Sequence, residues 1–285
     1  MKKFELTSET KINIFGKKLF RIKALVSFGV VKTGETGGWV EKEENVNQSG
    51  DAWVFDNAEV FGNARVFGNA WVFGNAWVFD NARVSGNARV FGDAWVFDNA
   101  EVSDNAWVFD NARVSGNAEV SDNAEVSDNA WVSGNARVFG DAEVSDNAEV
   151  SDNAEVSDNA RVSGNAEVSD NARVSGNAEV SDNAEVSDNA WVSGNAEVSD
   201  NAWVSGNARV FDNADYATIH GFGTQFRTTT FFRCKDKQVK VSCGCFYGTI
   251  PEFCEQVKNT RKGKIAEEYL MIADLMEKHF AEEAK

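Results

Sequence analysis

Histidine is the side chain most often used as a general acid or base near neutral pH, and this chain has two. His220 follows the long repetitive middle of the sequence, and His279 lies near the end of the chain in a segment with a helical apolar stripe. We expect His220 to be a capping or surface residue and His279 to be an ordinary residue at a helix end. The sequence therefore predicts no catalytic residue.

Four cysteines are gathered in the last quarter of the chain, where thiolates could bind zinc. Cys234, Cys243, Cys245 and Cys254 are separated by eight, one and eight residues. Zinc sites are usually built from Cys-x2–4-Cys pairs, and Cys-Gly-Cys is tighter than that spacing. The four are weak candidates for a metal site, and buried or partly exposed thiols are the favoured interpretation. No metal and no cofactor is predicted.

Aspartate could bind calcium through its carboxylate. It fills 15 of the 27 positions in the repetitive middle that otherwise hold glycine. The Gly-Gly-x-Gly-x-Asp nonapeptide of calcium-binding β-rolls is absent from the sequence. These aspartates are therefore interpreted as turn residues.

A six-residue repeat must position most of these side chains. Val recurs every sixth residue from Val54 to Val210, 27 times, with Ala two positions earlier and Asn before that Ala, or Asp at 51, 93 and 141. Six is not a multiple of 3.6, and Asn, Val and Gly are poor helix formers, so long helices are excluded. Ala-x-Val-(Phe/Ser) is typical of a short strand with Ala and Val facing inward. Gly/Asp-Asn then supplies a corner that tolerates positive φ. The pattern predicts a mainly β protein, a parallel β-helix.

The sequence predicts that the chain is divided into three segments. Residues 1–50 contain two alternating runs around Gly16 and predict an N-terminal β-hairpin cap, and residues 51–215 form the solenoid. Residues 216–285 predict a β-hairpin followed by two amphipathic helices, with Pro251 near the start of the first. Caps are expected because bare β-edges at the ends of a repeat array would polymerise.

The hexads resemble those of the hexapeptide-repeat superfamily, in which three hexads form one triangular coil of 18 residues. The resemblance implies about nine coils, wound left-handed, and a rod of about 43 Å at roughly 4.8 Å per coil. The opening FELTSETKINIFGKKLFRIKAL…TGGWVEKEENV and the tail VSCGCFYGTIPEF are similar to segments of β-solenoid proteins of bacteria and their phages. That group is often described as hexapeptide acetyltransferases of the YdcK type. The tail resembles a small module that follows several kinds of repeat array.

Acyltransferases on this fold use a histidine general base, and carbonic anhydrases on it use three histidines to hold zinc. Here both histidines lie outside the repeat, and the hexads carry no insertion that could form an active-site loop. Fold analogy alone does not establish chemistry. We therefore lean toward a non-catalytic protein and keep an acyltransferase as an alternative.

The outward positions of the hexads are the ones free to vary along the solenoid. Sorting every third hexad together places aromatic side chains on adjoining faces of the first coils. We expect them to form one continuous surface that either stabilises the rod in place, or packs against the hairpin or a second copy, or binds another ligand. The candidate binding residues are Trp53, Phe55, Trp71, Phe73, Trp77, Phe79, Trp95, Phe97, Trp107 and Phe109.

Charge is distributed unevenly along the chain. Residues 51–215 hold 19 Asp, 11 Glu and 8 Arg, a net charge of −22, and both flanking segments are mildly basic. Nucleic-acid binding along the solenoid is disfavoured, because phosphate contacts need Lys and Arg. A scaffold that binds a protein partner or itself is the favoured function, and an acidic DNA mimic that inhibits a DNA-binding protein is a further alternative.

No window holds 18 consecutive apolar residues, so no membrane span is predicted. The opening MKKFELTSET has no apolar segment typical of a secretion signal, and we expect a cytoplasmic protein.

Overall fold

The hexads form the coils of a parallel β-solenoid, as predicted. In the computed structural model, which describes residues 2–281, strands β4 (Trp53–Val54) to β30 (Arg209–Val210) are two residues long and recur every six residues. Each pairs in parallel with the strand 18 residues later, as Trp53 does with Trp71. The 27 hexads therefore make nine coils. An incomplete tenth turn precedes them, because β3 (Thr36–Val40) and Val46 also pair in parallel with the first coil.

The coils stack into three flat faces, which we number in chain order. Face 1 contains β4, β7 and every third strand to β28, and face 3 contains β6, β9 and every third strand to β30. Face 2 begins with β5 and ends with β29, and it continues past the first coil into β3, β2 (Lys18–Ala24) and β1 (Phe4–Ile12). The β1–β2 hairpin thus belongs to the same twelve-stranded sheet as face 2.

Alanine and valine fill the interior of the coils. Every hexad Ala and Val from Ala52 to Val210 is at most 1% exposed, and together they form one continuous apolar cluster. The alternation of side chains along each two-residue strand is what sends Val inward and the variable residue outward.

The corner aspartates do more than occupy a turn. Asp98, for example, has φ +59°, a left-handed conformation that costs a non-glycine residue free energy. Its Oδ2 accepts a hydrogen bond from the backbone N–H of Gly116 in the next coil, at 3.1 Å. A bond of this kind, in which a corner carboxylate accepts from the backbone N–H of the next corner, occurs at nine corners in all. A charge-assisted bond between coils therefore offsets the strain where Asp replaces Gly.

The corner asparagines form amide ladders along the rod. Asn63 Nδ2 donates to Asn81 Oδ1 at 3.2 Å, and the pattern repeats from coil to coil. Two of the aspartates that replace Asn interrupt such a ladder. Asp93 accepts from Asn75 at 3.0 Å, but an ionised carboxylate has no proton to donate to Asn111 in the following coil.

We expect Asp93→Asn to raise the free energy of unfolding by about 0.5–1.5 kcal/mol, the net contribution of one hydrogen bond. The new amide would donate to Asn111 and join two separate ladders. Thermal unfolding followed by circular dichroism measures the change. Asn81→Asp, which interrupts an intact ladder, is the control and should lower the midpoint. A lower midpoint for Asp93→Asn would show that the break stabilises the corner.

The N-terminal cap supplies hydrogen-bond donors to the first coil. Many coil-to-coil bonds run from a backbone N–H to a carbonyl of the next coil, as from Trp53 N to Ala70 O, so carbonyls such as that of Ala52 in the first coil face the cap. Lys3 Nζ donates to the carbonyls of Gly50 and Ala52 at 3.2 and 2.8 Å, and Asn45 Nδ2 donates to Ala64 O at 2.9 Å. These donors satisfy carbonyls that have no preceding coil beside them.

Burial lowers the pKa of Lys3 to about 8, with the Asp51 carboxylate opposing that shift. Between pH 8 and the ordinary lysine value of 10.5, the unfolded chain binds a proton that the folded chain does not. We therefore expect stability to rise with pH across this window, relative to Lys3→Met. Chemical unfolding of both proteins at several pH values below and within the window tests this, and parallel profiles would contradict it.

The C-terminal cap supplies hydrogen-bond acceptors to the last coil. Trp203 N donates to Thr230 Oγ1 at 3.0 Å, and Glu197 N donates to Asn213 Oδ1 at 2.7 Å. Phe232, which is fully buried, closes the Ala/Val column. Side chains at this end thus accept hydrogen bonds from N–H groups of the last coils, and the backbone N–H of Lys235 donates to Asn207 O.

An antiparallel sheet and two helices complete the chain. Their own core is a second apolar cluster that includes Phe231 and Phe253. A capping box of Thr249 and Glu252 begins the first helix. Within residues 2–281, no helix is long and apolar enough to cross a membrane. The elements are β31 (Tyr216–Phe222), β32 (Arg227–Arg233), β33 (Val239–Cys243), β34 (Phe246–Thr249), α1 (Ile250–Thr260) and α2 (Gly263–His279).

Candidate interaction surface

The Phe or Ser that follows Val in one coil contacts the tryptophan at the variable position of the next coil on the same face, 16 positions later. Where the residue after Val is Phe, the contact is edge-to-face, as between Phe91 and Trp107 with centroids 6.0 Å apart. Where it is Ser, the hydroxyl accepts from the indole, as Ser115 Oγ does from Trp131 Nε1 at 3.0 Å. In both arrangements, a side chain of the preceding coil fixes the position of the indole.

Face 1 carries the first group of aromatic side chains, which we call the face-1 rings. Phe73, Phe91 and Phe109 form a parallel stack with centroids 4.6 and 5.0 Å apart. The Arg89 guanidinium lies between the indoles of Trp71 and Trp107, at 5.0 and 5.2 Å from their ring centroids. The group consists of Phe55, Trp71, Phe73, Phe91, Trp107 and Phe109, and all six are partly exposed.

Face 2 carries the second group, the face-2 rings. Trp77 and Trp95 stack with centroids 5.0 Å apart, and Phe79 is stacked between Phe61 and Phe97 at 5.0 and 5.1 Å. No ring pair among the described residues joins this group to the face-1 rings. The ring-to-ring contacts therefore form two groups, one on each face.

The hairpin between β1 and β2 partly covers the face-2 rings. The Phe15 ring contacts Phe61, Trp77 and Phe79, with centroids 5.5–5.7 Å away. As a result Phe61 and Phe79 are only 4% and 8% exposed. Phe15 itself is 49% exposed, and its neighbour Ile14 is 77% exposed. The hairpin thus extends the apolar surface as it covers part of it.

Trp53 differs from the other candidate residues, because its side chain is fully buried. Phe4 and Phe28 of the N-terminal cap contact its ring edge-to-face, at 5.8 and 5.3 Å. Its Nε1 has no hydrogen-bond partner among the residues that the structure describes. Trp53 belongs to the cap interface and cannot contact a partner. Nothing in the hexad pattern separates it from Trp71, because the cap that covers it lies outside the repeat.

Ile14 and Phe15 are surface residues that sequence reasoning did not select. They lie in the turn of the hairpin, in the sequence NIFGKK, where polar residues are usual. Apolar residues at a turn are the signal that could have found them.

The distal half of face 2 carries an acidic column. Glu149, Glu167 and Glu185 occupy the variable position of three successive strands. None of the three has a salt-bridge partner among residues 2–281. Burial and the Glu167 charge raise the pKa of Glu185. On face 3, by contrast, the Arg137 guanidinium lies 3.5 Å from both Glu119 and Glu155. The column on face 2 is therefore left without a neutralising arginine.

The histidines and cysteines do not assemble with one another. His220 is exposed on β31, with Nδ1 3.3 Å from Thr228 Oγ1, and His279 packs edge-to-face on Phe280 at the end of α2. Within residues 2–281, no three His, Cys, Asp or Glu side chains are grouped as metal ligands. All four cysteines are free thiols.

Burial raises the pKa of Cys234 to about 11, and Asp236 acts in the same direction. Cys245, in contrast, is exposed. Because the thiolate is the reactive form, we expect iodoacetamide at pH 8 to modify Cys245 first and Cys234 last. Peptide mass spectrometry of timed samples measures the order, with unfolded protein as the control in which all thiols react. Equal rates for the two cysteines in the folded chain would contradict the buried cap position of Cys234.

Comparison with known proteins agrees with the solenoid. Residues 82–98, slightly less than one coil, match the family model of the YdcK beta solenoid repeat. Among curated proteins, none matches the sequence of this chain. The match and the stacked coils together make the chain a β-solenoid repeat protein.

Proposed function

We propose that this protein is a non-catalytic scaffold that binds a protein partner through the face-1 and face-2 rings. The observation that carries the proposal is that most of these side chains are partly exposed although each is held by stacking on its neighbours. A surface fixed before binding loses little conformational entropy on association. Aromatic side chains are also the residues most often enriched at protein interfaces.

The way the rings stack favours a protein ligand over a sugar or a base. Phe73 and Phe91 are parallel within 4°, so their faces cover each other and their edges point outward. Sugars and bases stack on ring faces, whereas apolar and aromatic side chains also pack well against ring edges. Side chains of a protein partner therefore suit this surface better.

The acidic surface would select and steer the partner. With a net charge of −17 for the chain, long-range attraction favours a partner with a basic patch beside its apolar contact. The C-terminal module that contains VSCGCF is a second proposed contact region. We place the protein in the cytoplasm, where four free thiols would stay reduced.

Affinity capture from the native host followed by mass spectrometry tests the scaffold. The bait proteins are wild type, Trp71→Glu/Trp107→Glu in the face-1 rings, and Trp191→Glu on face 3 as the matched control. We expect the double variant to lose at least ten-fold of one specific captured protein and the control to retain it. An unchanged set of captured proteins for the double variant would remove the face-1 rings from the proposal.

A further inference from the structure

Face 2 changes character in three steps along one continuous sheet. Its hairpin end is basic, because residues 4–24 hold five Lys or Arg residues against Glu5 and Glu9. Lys11 and Lys17 are paired with Glu59 and Glu41, and Arg21 and Lys23 lie on the outward side of β2. Its middle carries the face-2 rings. Its distal end carries the unpaired Glu149, Glu167 and Glu185. A sheet that is basic at one end, apolar in the middle and acidic at the other is complementary to a copy of itself turned end for end.

We infer that two copies of this chain pair face 2 against face 2, with their solenoid axes antiparallel. The inference deepens the proposed function, because it names a second copy as the partner of the face-2 rings and leaves the face-1 rings free for another protein. The pairing is isologous, so every contact occurs twice about a two-fold axis parallel to the strands.

The strand order fixes one register in which all three zones match. In the twelve-stranded sheet, Arg21 on β2 and Glu167 on β23 are eight strands apart, and Trp95 on β11 lies midway between them. An axis over Trp95 therefore places Arg21 opposite Glu167 of the second copy. At about 4.8 Å per strand, each such ion pair lies roughly 19 Å from the axis.

The same axis matches the central residues as well. Trp95 faces Trp95 of the second copy, and Trp77, one strand before it, faces Arg113, one strand after it. Arg113 already lies over the Trp95 ring at 5.3 Å, so its guanidinium is positioned for a second aromatic contact. A single register therefore forms both the ion pairs at the two ends and the aromatic contacts in the middle.

The hairpin turn fits this register. Phe15 lies over the Trp77 ring, on the strands that face Arg113 and Trp131 of the second copy. Trp131 is 40% exposed and Ile14 is 77% exposed, and pairing would cover both. The apolar turn would therefore fill the space between the two sheets.

The area is sufficient for a stable pair. About ten strands at roughly 4.8 Å, and a face about 13 Å wide, give on the order of 600 Å² per copy. The total of about 1,200 Å² reaches the lower bound of specific interfaces. Because part of the attraction comes from exposed charges, pairing should weaken as salt rises.

Charge exchange between the two ends tests the register. The first variant, Glu149→Lys/Glu167→Lys, makes the acidic end basic, and the second, Arg21→Glu/Lys23→Glu, reverses the two charges on the outward side of β2. The control, Glu179→Lys/Glu197→Lys, makes the same change on face 1. Light scattering after size exclusion measures the mass at low salt, at roughly 100 µM chain, where a micromolar pair is formed.

We expect wild type and control at twice the 31.2 kDa chain mass, and each face-2 variant weakened at least ten-fold. An equimolar mixture of the two face-2 variants should restore the pair, because each supplies the charge that the other now needs. This rescue also excludes misfolding as the cause of the loss. Trp95→Glu should abolish pairing, and Trp71→Glu on face 1 should retain it.

A monomeric wild type, unaffected face-2 variants or a mixture that stays monomeric would each overturn the inference. Failure here is distinguishable from failure of the scaffold proposal, which depends on the protein captured by the face-1 rings. Affinity capture and light scattering both use the same preparations of the full chain.

Discussion

Val126→Asp is expected to lower the free energy of unfolding by about 3–5 kcal/mol, the cost of an uncompensated charge in an apolar interior. Val126 is fully buried in the middle of the Ala/Val column, and its side chain is surrounded by other hexad Val and Ala residues. An ionised carboxylate there would have neither water nor a hydrogen-bond donor.

Because the solenoid is repetitive, Val126→Asp should also change the shape of the unfolding transition. Each coil of a solenoid contacts only its neighbours, so a coil that fails in the middle uncouples the two halves. Chemical unfolding followed by circular dichroism should therefore show a lower midpoint and a broader transition. Glu125→Asp is the matched control, because it places the same side chain one residue earlier, facing outward. Equal stability of the two variants would contradict the inward orientation of Val126.

Phe232→Ala is expected to lower the free energy of unfolding by about 3–5 kcal/mol and to make the protein aggregate. Phe232 is fully buried and belongs to the core cluster of the solenoid, although it lies on β32 of the C-terminal sheet. Its removal leaves a cavity between the last coil and the cap. A loosened cap would expose the last β-edge of the rod, which can then pair with other chains.

Thermal unfolding and light scattering measure the two consequences of Phe232→Ala separately. Phe226→Ala is the matched control, because it makes the same change on a nearby side chain that is 65% exposed. We expect the control to remain monodisperse and close to wild type in stability. If both variants behave alike, Phe232 does not close the solenoid.

Much of the solenoid could be predicted from the sequence because its period is local and never interrupted. The inward positions of Val and Ala and the corners at Gly or Asp follow from six-residue spacing and side-chain alternation. The division into faces follows once three hexads make a coil. That number was implied by the resemblance to hexapeptide-repeat proteins, and the parallel pairing of residues 18 apart confirms it.

The repeat predicts the columns of aromatic residues but not which of them are buried. Their columns follow from the repeat, and stacks such as Phe73 on Phe91 lie where an 18-residue period puts them. The burial of Trp53 and the covering of Phe79 by Phe15 do not follow from it. Both depend on a cap that folds back onto coils far away in the sequence, and the hexad pattern holds no information about that contact.

By itself, the sequence determined the coil, its interior, its corners and the order of residues along each face, because each of these depends on neighbours six or 18 residues away. Only the tertiary structure decided how the ends are closed and which aromatic side chains stay exposed. Carbonyls such as that of Ala52 at the first coil and N–H groups such as that of Trp203 at the last coil have no further coil beside them and need a partner from outside the stack. Lys3 and Asn45 meet that need at one end, and Thr230 and Asn213 meet it at the other. Asn213 continues the Asn position of the hexads, but Lys3, Asn45 and Thr230 lie outside the repeat, where no periodicity marks them, and three-dimensional packing brings them to the edges.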